Sequence, residues 1–389
     1  MPLTPQTTYD QTIQTTDIKL DPTVINFGIG QPGMDILPLD LLREAAAHRL
    51  SDPDTGYLQY GYMSGDTHFR VSLADFMTRS MGEPTSFETL FLTGGNSKAL
   101  DMICSFFTKP GDTIFVEDPT YFLALGIFAD YDLNVVGVPM DEDGLRVDLL
   151  EAMLAQQTPA FVYTVPTYHN PTSVTLSAER REKLVELSKQ HNFLIVADEV
   201  YHLLQYGDPP PASFGSYVES DTVLSLGTFS KILAPGLKIG WIKTGPTLHH
   251  RLFMSGVVNS GGSLNHFTSG IVRSALDLRL VDNYLNYLKT LYRTRLDRMD
   301  RLIRTHFPSA IEYEKPLGGY FFWLKLPAHV RAVDARTAAM ERRVKFHPGT
   351  SFSPQQNFPN HMRLAFSFYG QEKTEEGMQV LGEVLRGLI

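Results

Sequence analysis

A chain of 389 residues, 43% hydrophobic and 20% charged, has an ordinary globular composition and the length for two unequal domains. Its formal net charge of −9 argues against the concentrated basic footprint that a nucleic-acid surface needs. The single cysteine, Cys104, excludes an internal disulfide and suits a reducing compartment.

Residues 1–24 carry Pro2, Pro5 and Pro22 and little periodicity, which predicts an extended or loosely helical arm. Residues 1–20 are rich in Thr and Gln and lack both Arg and an apolar core segment, unlike a secretory signal. Apolar runs such as Leu194 to Ala197 fall far short of a membrane span. A soluble, cytoplasmic protein with no membrane or nucleic-acid partner is therefore expected. From about residue 43, apolar helical stretches alternate with Pro/Gly breaks and short β-branched runs.

A helix is predicted over 95–107, where Leu100, Ile103, Cys104, Phe106 and Phe107 form one face and Lys109-Pro110-Gly111-Asp112 ends it. On that face Cys104 reads as a buried, inert thiol. Strands are predicted at Thr113–Val116, Val135–Val138, Ala160–Val165, Phe193–Ala197, Val223–Leu226 and Ile239–Lys243. Between two of them, Ser177–His191 reads as a helix with Ser177 as N-cap, Glu179 in the first turn and Leu184 and Leu187 inward. This alternation predicts an α/β fold: a mostly parallel central sheet covered by helices, with its ligand beyond the carboxyl ends of the strands. After about residue 285 come a long charged helix, Tyr287–His306, and strands at Gly318–Leu326 and Met362–Phe368, which predict a smaller α+β domain. The expected division is an N-terminal arm over 1–42 joining the small domain, a large domain over 43–285 and a C-terminal small domain over 286–389.

Polar residues gather where three strands should end. Ala160–Val165 runs into Pro166-Thr167-Tyr168-His169-Asn170-Pro171-Thr172, Phe193–Ala197 into Asp198-Glu199-Val200-Tyr201, and Val223–Leu226 into Gly227-Thr228-Phe229-Ser230-Lys231. Asn170, Asp198, Tyr201, Thr228, Ser230 and Lys231 should therefore face one cleft. Each suits an electron-sink cofactor. A lysine forms an imine with an aldehyde and, as a free amine, moves protons. A carboxylate buried at a strand end keeps a pyridine nitrogen protonated. Hydroxyls and an amide hold a phosphate and a phenolic oxygen, and Gly94-Gly95-Asn96-Ser97 opens a helix whose first N–H groups face a phosphate. Nothing in the pattern calls for a metal.

Seven stretches in order, Phe27–Pro32, Tyr60–Gly65, Gly94–Leu100, Asn170-Pro171-Thr172, Ala197–Tyr201, Thr228–Trp241 and Arg363–Ser367, resemble the class I/II aminotransferases of pyridoxal-phosphate fold type I. The fold implied is aspartate-aminotransferase-like, and the similarity is to the aminoadipate/kynurenine branch. The resemblance implies that Lys231 holds pyridoxal 5′-phosphate as a Schiff base and then shuttles the Cα proton. It implies that Asp198 pairs with the pyridine nitrogen, that Asn170 and Tyr201 contact the ring oxygen, and that Tyr121 stacks on the ring. Asn96, Ser97 and Thr228 are expected at the phosphate, with Ser230 and Lys238 nearby and Tyr60 reaching it from the partner of a homodimer. Arg363 is expected to clamp the substrate α-carboxylate, helped by Asn170 and the backbone at Gly30.

This sequence departs from its relatives at Lys238, where Arg is usual, at Ser173, where Gly is usual, and at Gly94-Gly95-Asn96-Ser97, where a Ser/Gln pair is common. His169 and His202 are expected to satisfy local hydrogen bonds, and the strand around Phe321 to be core. The reaction expected is transfer of an amino group from an L-amino acid to a 2-oxo acid. The absence of Arg before Arg43 leans towards an aromatic or apolar donor. Elimination or a biosynthetic cyclisation on the same fold stays open, because all of these begin with loss of the Cα proton. A regulator that uses this fold to sense amines would need a DNA-binding domain before it, for which the match beginning near Phe27 leaves no room.

Overall fold

The computed structural model describes residues 21–389, together with the backbone of Thr12–Ile13 and Ile18–Lys19, which pair antiparallel. The arm expected over 1–24 and the side chain of Lys19 lie largely outside the described residues.

Eight strands build the central sheet: Leu90–Thr93 (β1), Thr113–Asp118 (β2), Asn134–Asp141 (β3), Gly144–Leu145 (β4), Phe161–Thr164 (β5), Leu194–Asp198 (β6), Val223–Thr228 (β7) and Gly240–Thr244 (β8). Their spatial order is β1-β8-β7-β6-β5-β2-β3-β4. Strands β7, β6, β5, β2 and β3 pair in parallel, β8 runs antiparallel to β7 and β1, and β4 turns back on β3. Every residue of β1, β2, β5, β7 and β8 is buried, because helices cover both faces of the sheet. The expected mostly parallel sheet is therefore present. Strand β1 escaped prediction, since a run of four residues, Leu90-Phe91-Leu92-Thr93, has no readable period.

Helix Asn96–Phe107 (α1) packs its Leu100, Ile103 and Cys104 inward. Burial pushes the Cys104 thiol up to about 12, which keeps it protonated and inert. Helix Ala178–His191 (α2) is capped by Ser177, whose side chain accepts from the Arg180 backbone N–H. The long helix, Leu280–His306 (α3), begins ahead of the predicted Tyr287, because Val281 and Leu285 continue its buried stripe.

The C-terminal part carries a three-stranded antiparallel sheet of Phe321–Lys325, His361–Ala365 and His347–Pro348. The first two strands are shorter than predicted, and the third was not predicted. Ile25–Asn26 pairs in parallel with Val344–Lys345, so the chain just after the arm joins these late elements. One apolar core runs unbroken from the central sheet, through Leu92, Tyr163 and Leu226, to Phe322 and Leu364. Each such side chain contributes roughly 1.5–3 kcal/mol on burial. Among the described residues no helix is long and apolar enough to cross a membrane.

Candidate active site

Strands β5, β6 and β7 are neighbours, and their carboxyl ends face the C-terminal sheet across a cavity. Gly30, Asn96, Ser97, Tyr121, Asn170, Asp198, Tyr201, Thr228, Ser230, Lys231, Lys238 and Arg363 all line it. Tyr60 does not, and is 86% exposed.

Lys231 follows β7 and donates from Nζ to the Gly30 carbonyl at 2.8 Å. Its backbone carbonyl accepts from the Tyr320 hydroxyl at 2.9 Å, which fixes the stem of the side chain. Burial, with help from the Arg363 charge, pulls the amine down to about 8 against the opposing pull of Asp198. It is thus half neutral near the pH at which most lysines are fully charged.

Asp198 ends β6 and is 3% exposed. Its oxygens accept from Asn96 Nδ2 and from the Tyr163 hydroxyl, the latter at 3.0 Å. Burial still holds the carboxyl up at about 6, although Asn96, Tyr163 and Lys231 pull it down. The Tyr121 and Tyr201 hydroxyls are raised well above the ordinary phenol range, chiefly by burial, and so remain neutral donors.

Arg363, 2% exposed, lies on the strand His361–Ala365. It donates from one terminal nitrogen to Asn170 Oδ1 at 2.7 Å and from the other to the Gly28 carbonyl at 2.6 Å. Its guanidinium carbon stands 4.1 Å from the Phe321 ring centroid and 4.8 Å from that of Phe352. Nε is buried without a partner, and no described carboxylate pairs with the group. Burial lowers it to about 10. A caged cation of this kind has the charge and the free donor to pair with a carboxylate.

At the far end, Gly95 opens α1 at φ +93°, and no side chain caps the helix, so its first N–H groups are free to bind an anion. Thr228 Oγ1 lies 2.9 Å from Ser230 Oγ and 3.0 Å from the Ile239 carbonyl. Lys238 is exposed at the rim, in the left-handed region at φ +52°. Ser173 also sits there, at φ +62°, and its hydroxyl donates to the Phe321 carbonyl at 2.7 Å, which anchors the strained turn. Asn96, expected at the phosphate, has its amide on Asp198.

His169 and His202 lie in buried polar networks away from the cavity lining. His169 Nε2 is 3.0 Å from Glu117 Oε2, and His202 Nδ1 is 3.5 Å from Glu199 Oε2. Glu199 also accepts from the Phe214 backbone N–H at 2.7 Å. Sequence reasoning passed over Phe122, Tyr163, Phe352 and His347, and took the strand around Phe321 for core although Phe321 lines the cavity. Tyr163 was read only as part of the strand Ala160–Val165, and no local signal sets its hydroxyl on Asp198. His347 was not legible, since only the pairing of its strand against Arg363 brings it there.

Residues 22–381 match the family model for aminotransferase class I and II. The chain is 34% identical over 368 residues to aromatic-amino-acid aminotransferase 1 of Thermococcus litoralis, covering 93% of this chain and 88% of that one. It is 27% identical to the 2-aminoadipate transaminase of Thermus thermophilus, covering 95% and 91%. The crystal structure of Pyrococcus horikoshii kynurenine aminotransferase, solved with PMP, KYN and KYA, superposes with a TM-score of 0.87 at 29% identity, covering 94% and 91%.

Proposed function

Since this chain belongs to the class I and II aminotransferases, enzymes that depend on pyridoxal phosphate, we propose that Lys231 carries the cofactor and that the preferred donor is an L-amino acid with an aromatic or apolar side chain. The donor set fits the cofactor. Asp198 offers a carboxylate to a protonated ring nitrogen, the uncapped start of α1 with Ser97, Thr228 and Ser230 suits a phosphate, and Asn170 and Tyr201 suit the ring oxygen. Tyr121 supplies an aromatic face, and Lys238 a positive charge at the phosphate end. Bound pyridoxal phosphate supplies an aldehyde that captures amines and a ring that stabilises the carbanion left when the Cα proton departs.

The chain's own groups do the rest. Lys231 Nζ, lowered to about 8, takes the proton from Cα as a neutral amine and returns it. Arg363 binds the α-carboxylate, oriented by Asn170 and the Gly28 carbonyl. Phe122, Phe321 and Phe352 wall the space around it. His347, driven well below its usual range by burial and by Arg363, is neutral and offers no charge to a side-chain carboxylate. The observation that carries the reading is the convergence of Lys231, Asp198 and Arg363 in one buried cavity.

The test is borohydride reduction of the yellow protein followed by peptide mapping, with Lys231 expected to be the labelled residue. A cofactor mapped to another lysine overturns the assignment. A panel of amino donors compared by kcat/KM tests the preference, which fails if aspartate or 2-aminoadipate outruns phenylalanine and leucine.

The same reading includes a cytoplasmic homodimer with Tyr60 reaching the partner's phosphate. Supporting it, Leu58, Tyr60, Tyr62, Met254, Val257 and Phe267 are all exposed. Two of them stand in ring contacts, Phe267 with Tyr57 and Tyr62 with Phe253. It also includes the division into an arm over 1–42, a large domain over 43–285 and a small domain over 286–389, which the pairing of Ile25–Asn26 with Val344–Lys345 favours.

A further inference from the structure

Asp198 carries one donor on each carboxylate oxygen. Asn96, the first residue of α1, donates from Nδ2 to Oδ1, and Tyr163, inside β5, donates its hydroxyl to Oδ2 at 3.0 Å. Both come from elements outside β6, so the carboxylate is gripped from two sides. The Tyr163 ring is wholly buried, which leaves its hydroxyl no solvent partner. Burial, together with Asp198, raises that hydroxyl far above the ordinary phenol range, so it remains a donor throughout the pH range of activity. Asn96 Oδ1 is buried without a partner, so the amide's place is set by its Nδ2 contact with Asp198.

We propose that Asn96 and Tyr163 are positioning residues for Asp198, holding its carboxylate ionised and aimed into the cavity, and that they thereby set the lower pH limit for retention of pyridoxal phosphate. The proposal rests on the reading that Asp198 pairs with the ring nitrogen.

The other titratable and charged groups around Asp198 are Tyr121 ahead of the helix Phe122–Asp130, Glu199 beside it in the chain, Tyr201, and Lys231 after β7. Of these only Lys231 adds a stabilising charge, and its own amine is lowered and half neutral near pH 8. The two hydrogen bonds therefore stand as the main opposition to burial. Removing a donor from the charged form moves a carboxyl upward, so the acid takes up its proton at a higher pH. Below that pH the acid offers nothing to a cationic ring nitrogen, and affinity falls about tenfold for each pH unit.

The experiment titrates apo protein with pyridoxal phosphate alone and follows Kd by absorbance from about pH 8 to about pH 5. Wild type, Tyr163→Phe and Asn96→Ala are compared. For each variant the ratio of its Kd to that of wild type is expected to climb as pH falls, by about tenfold for a displacement of one pH unit. A ratio independent of pH in both variants overturns the proposal, because loss of packing or of a phosphate contact weakens binding equally at every pH. Should Tyr163→Phe fail to fold, Asn96→Ala, at the partly exposed first turn of α1, carries the test alone. Asp198→Asn is measured alongside. If it binds as wild type does at every pH, the pairing of Asp198 with the ring nitrogen fails; if it binds weakly while both ratios stay flat, only the two-donor grip fails.

Discussion

Arg363 is the side chain whose isolation says most about its work. A guanidinium buried to 2% exposure with only an amide and a carbonyl as acceptors leaves its charge uncompensated. On the proposed reading, a substrate carboxylate completes the pair and offsets this cost. Arg363→Ala is therefore expected to lower kcat/KM by about 2–5 kcal/mol, the usual penalty for truncating one partner of a buried charge pair. Arg363→Lys should recover part of that loss, since it restores the charge without the two-pronged geometry. Steady-state kinetics with the preferred donor decide it, and near-wild-type kcat/KM in Arg363→Ala would remove the residue from the substrate site. At Lys231 the lowered pKa has a direct consequence. Only the neutral amine attacks an aldehyde, so the rate at which apo protein takes up pyridoxal phosphate should rise with pH, with a midpoint near 8. A rate flat across that range would mean that another group controls attachment.

Among the elements, the start of α1 depends on how closely β8 approaches it. A Cβ on Gly240 would stand 2.7 Å from Gly95 Cα and 2.9 Å from the Gly227 carbonyl, all backbone atoms that cannot swing aside. Gly240→Ala should therefore push the two segments apart, lower Tm at a cost of about 1–3 kcal/mol, and loosen cofactor retention by displacing the helix N-terminus. Gly126→Ala is the control: it lies within the helix Phe122–Asp130, meets nothing within 4 Å, and should be neutral or stabilising. Calorimetry and dialysis of the loaded protein read both effects. Equal behaviour of the two variants would show that the approach of β8 to Gly95 carries no strain.

For the whole molecule, the exposed apolar side chains that include Tyr60 and Val257 are the surface that the proposed dimer would bury. On the proposed reading, a second copy covers these side chains and brings Tyr60 to the phosphate of the neighbouring site, so sedimentation should give a dimer at all concentrations that support activity. Tyr60→Ala should leave the dimer largely intact but weaken cofactor retention, because one rim aromatic among many contacts carries little of the interface energy. A fully active monomer would show that each cavity is complete in itself.

The sequence by itself determined strands β5, β6 and β7 and their polar ends, because a short apolar run followed by Asp198-Glu199 or Thr228-Phe229-Ser230-Lys231 announces both a buried strand and the groups it delivers. It also determined the capped helix at Ser177, since capping depends on a few adjacent residues. Only the tertiary structure decided that Arg363 is caged by Phe321 and Phe352, that His347 faces the same cavity, and that Asn96 and Tyr163 meet on Asp198. Those contacts join residues far apart in the chain, such as Arg363 with Asn170 or Asn96 with Asp198. Local propensity reads periods and neighbours along one segment, whereas the order of strands across the sheet and the docking of the late strands onto it choose which distant side chains share a cavity.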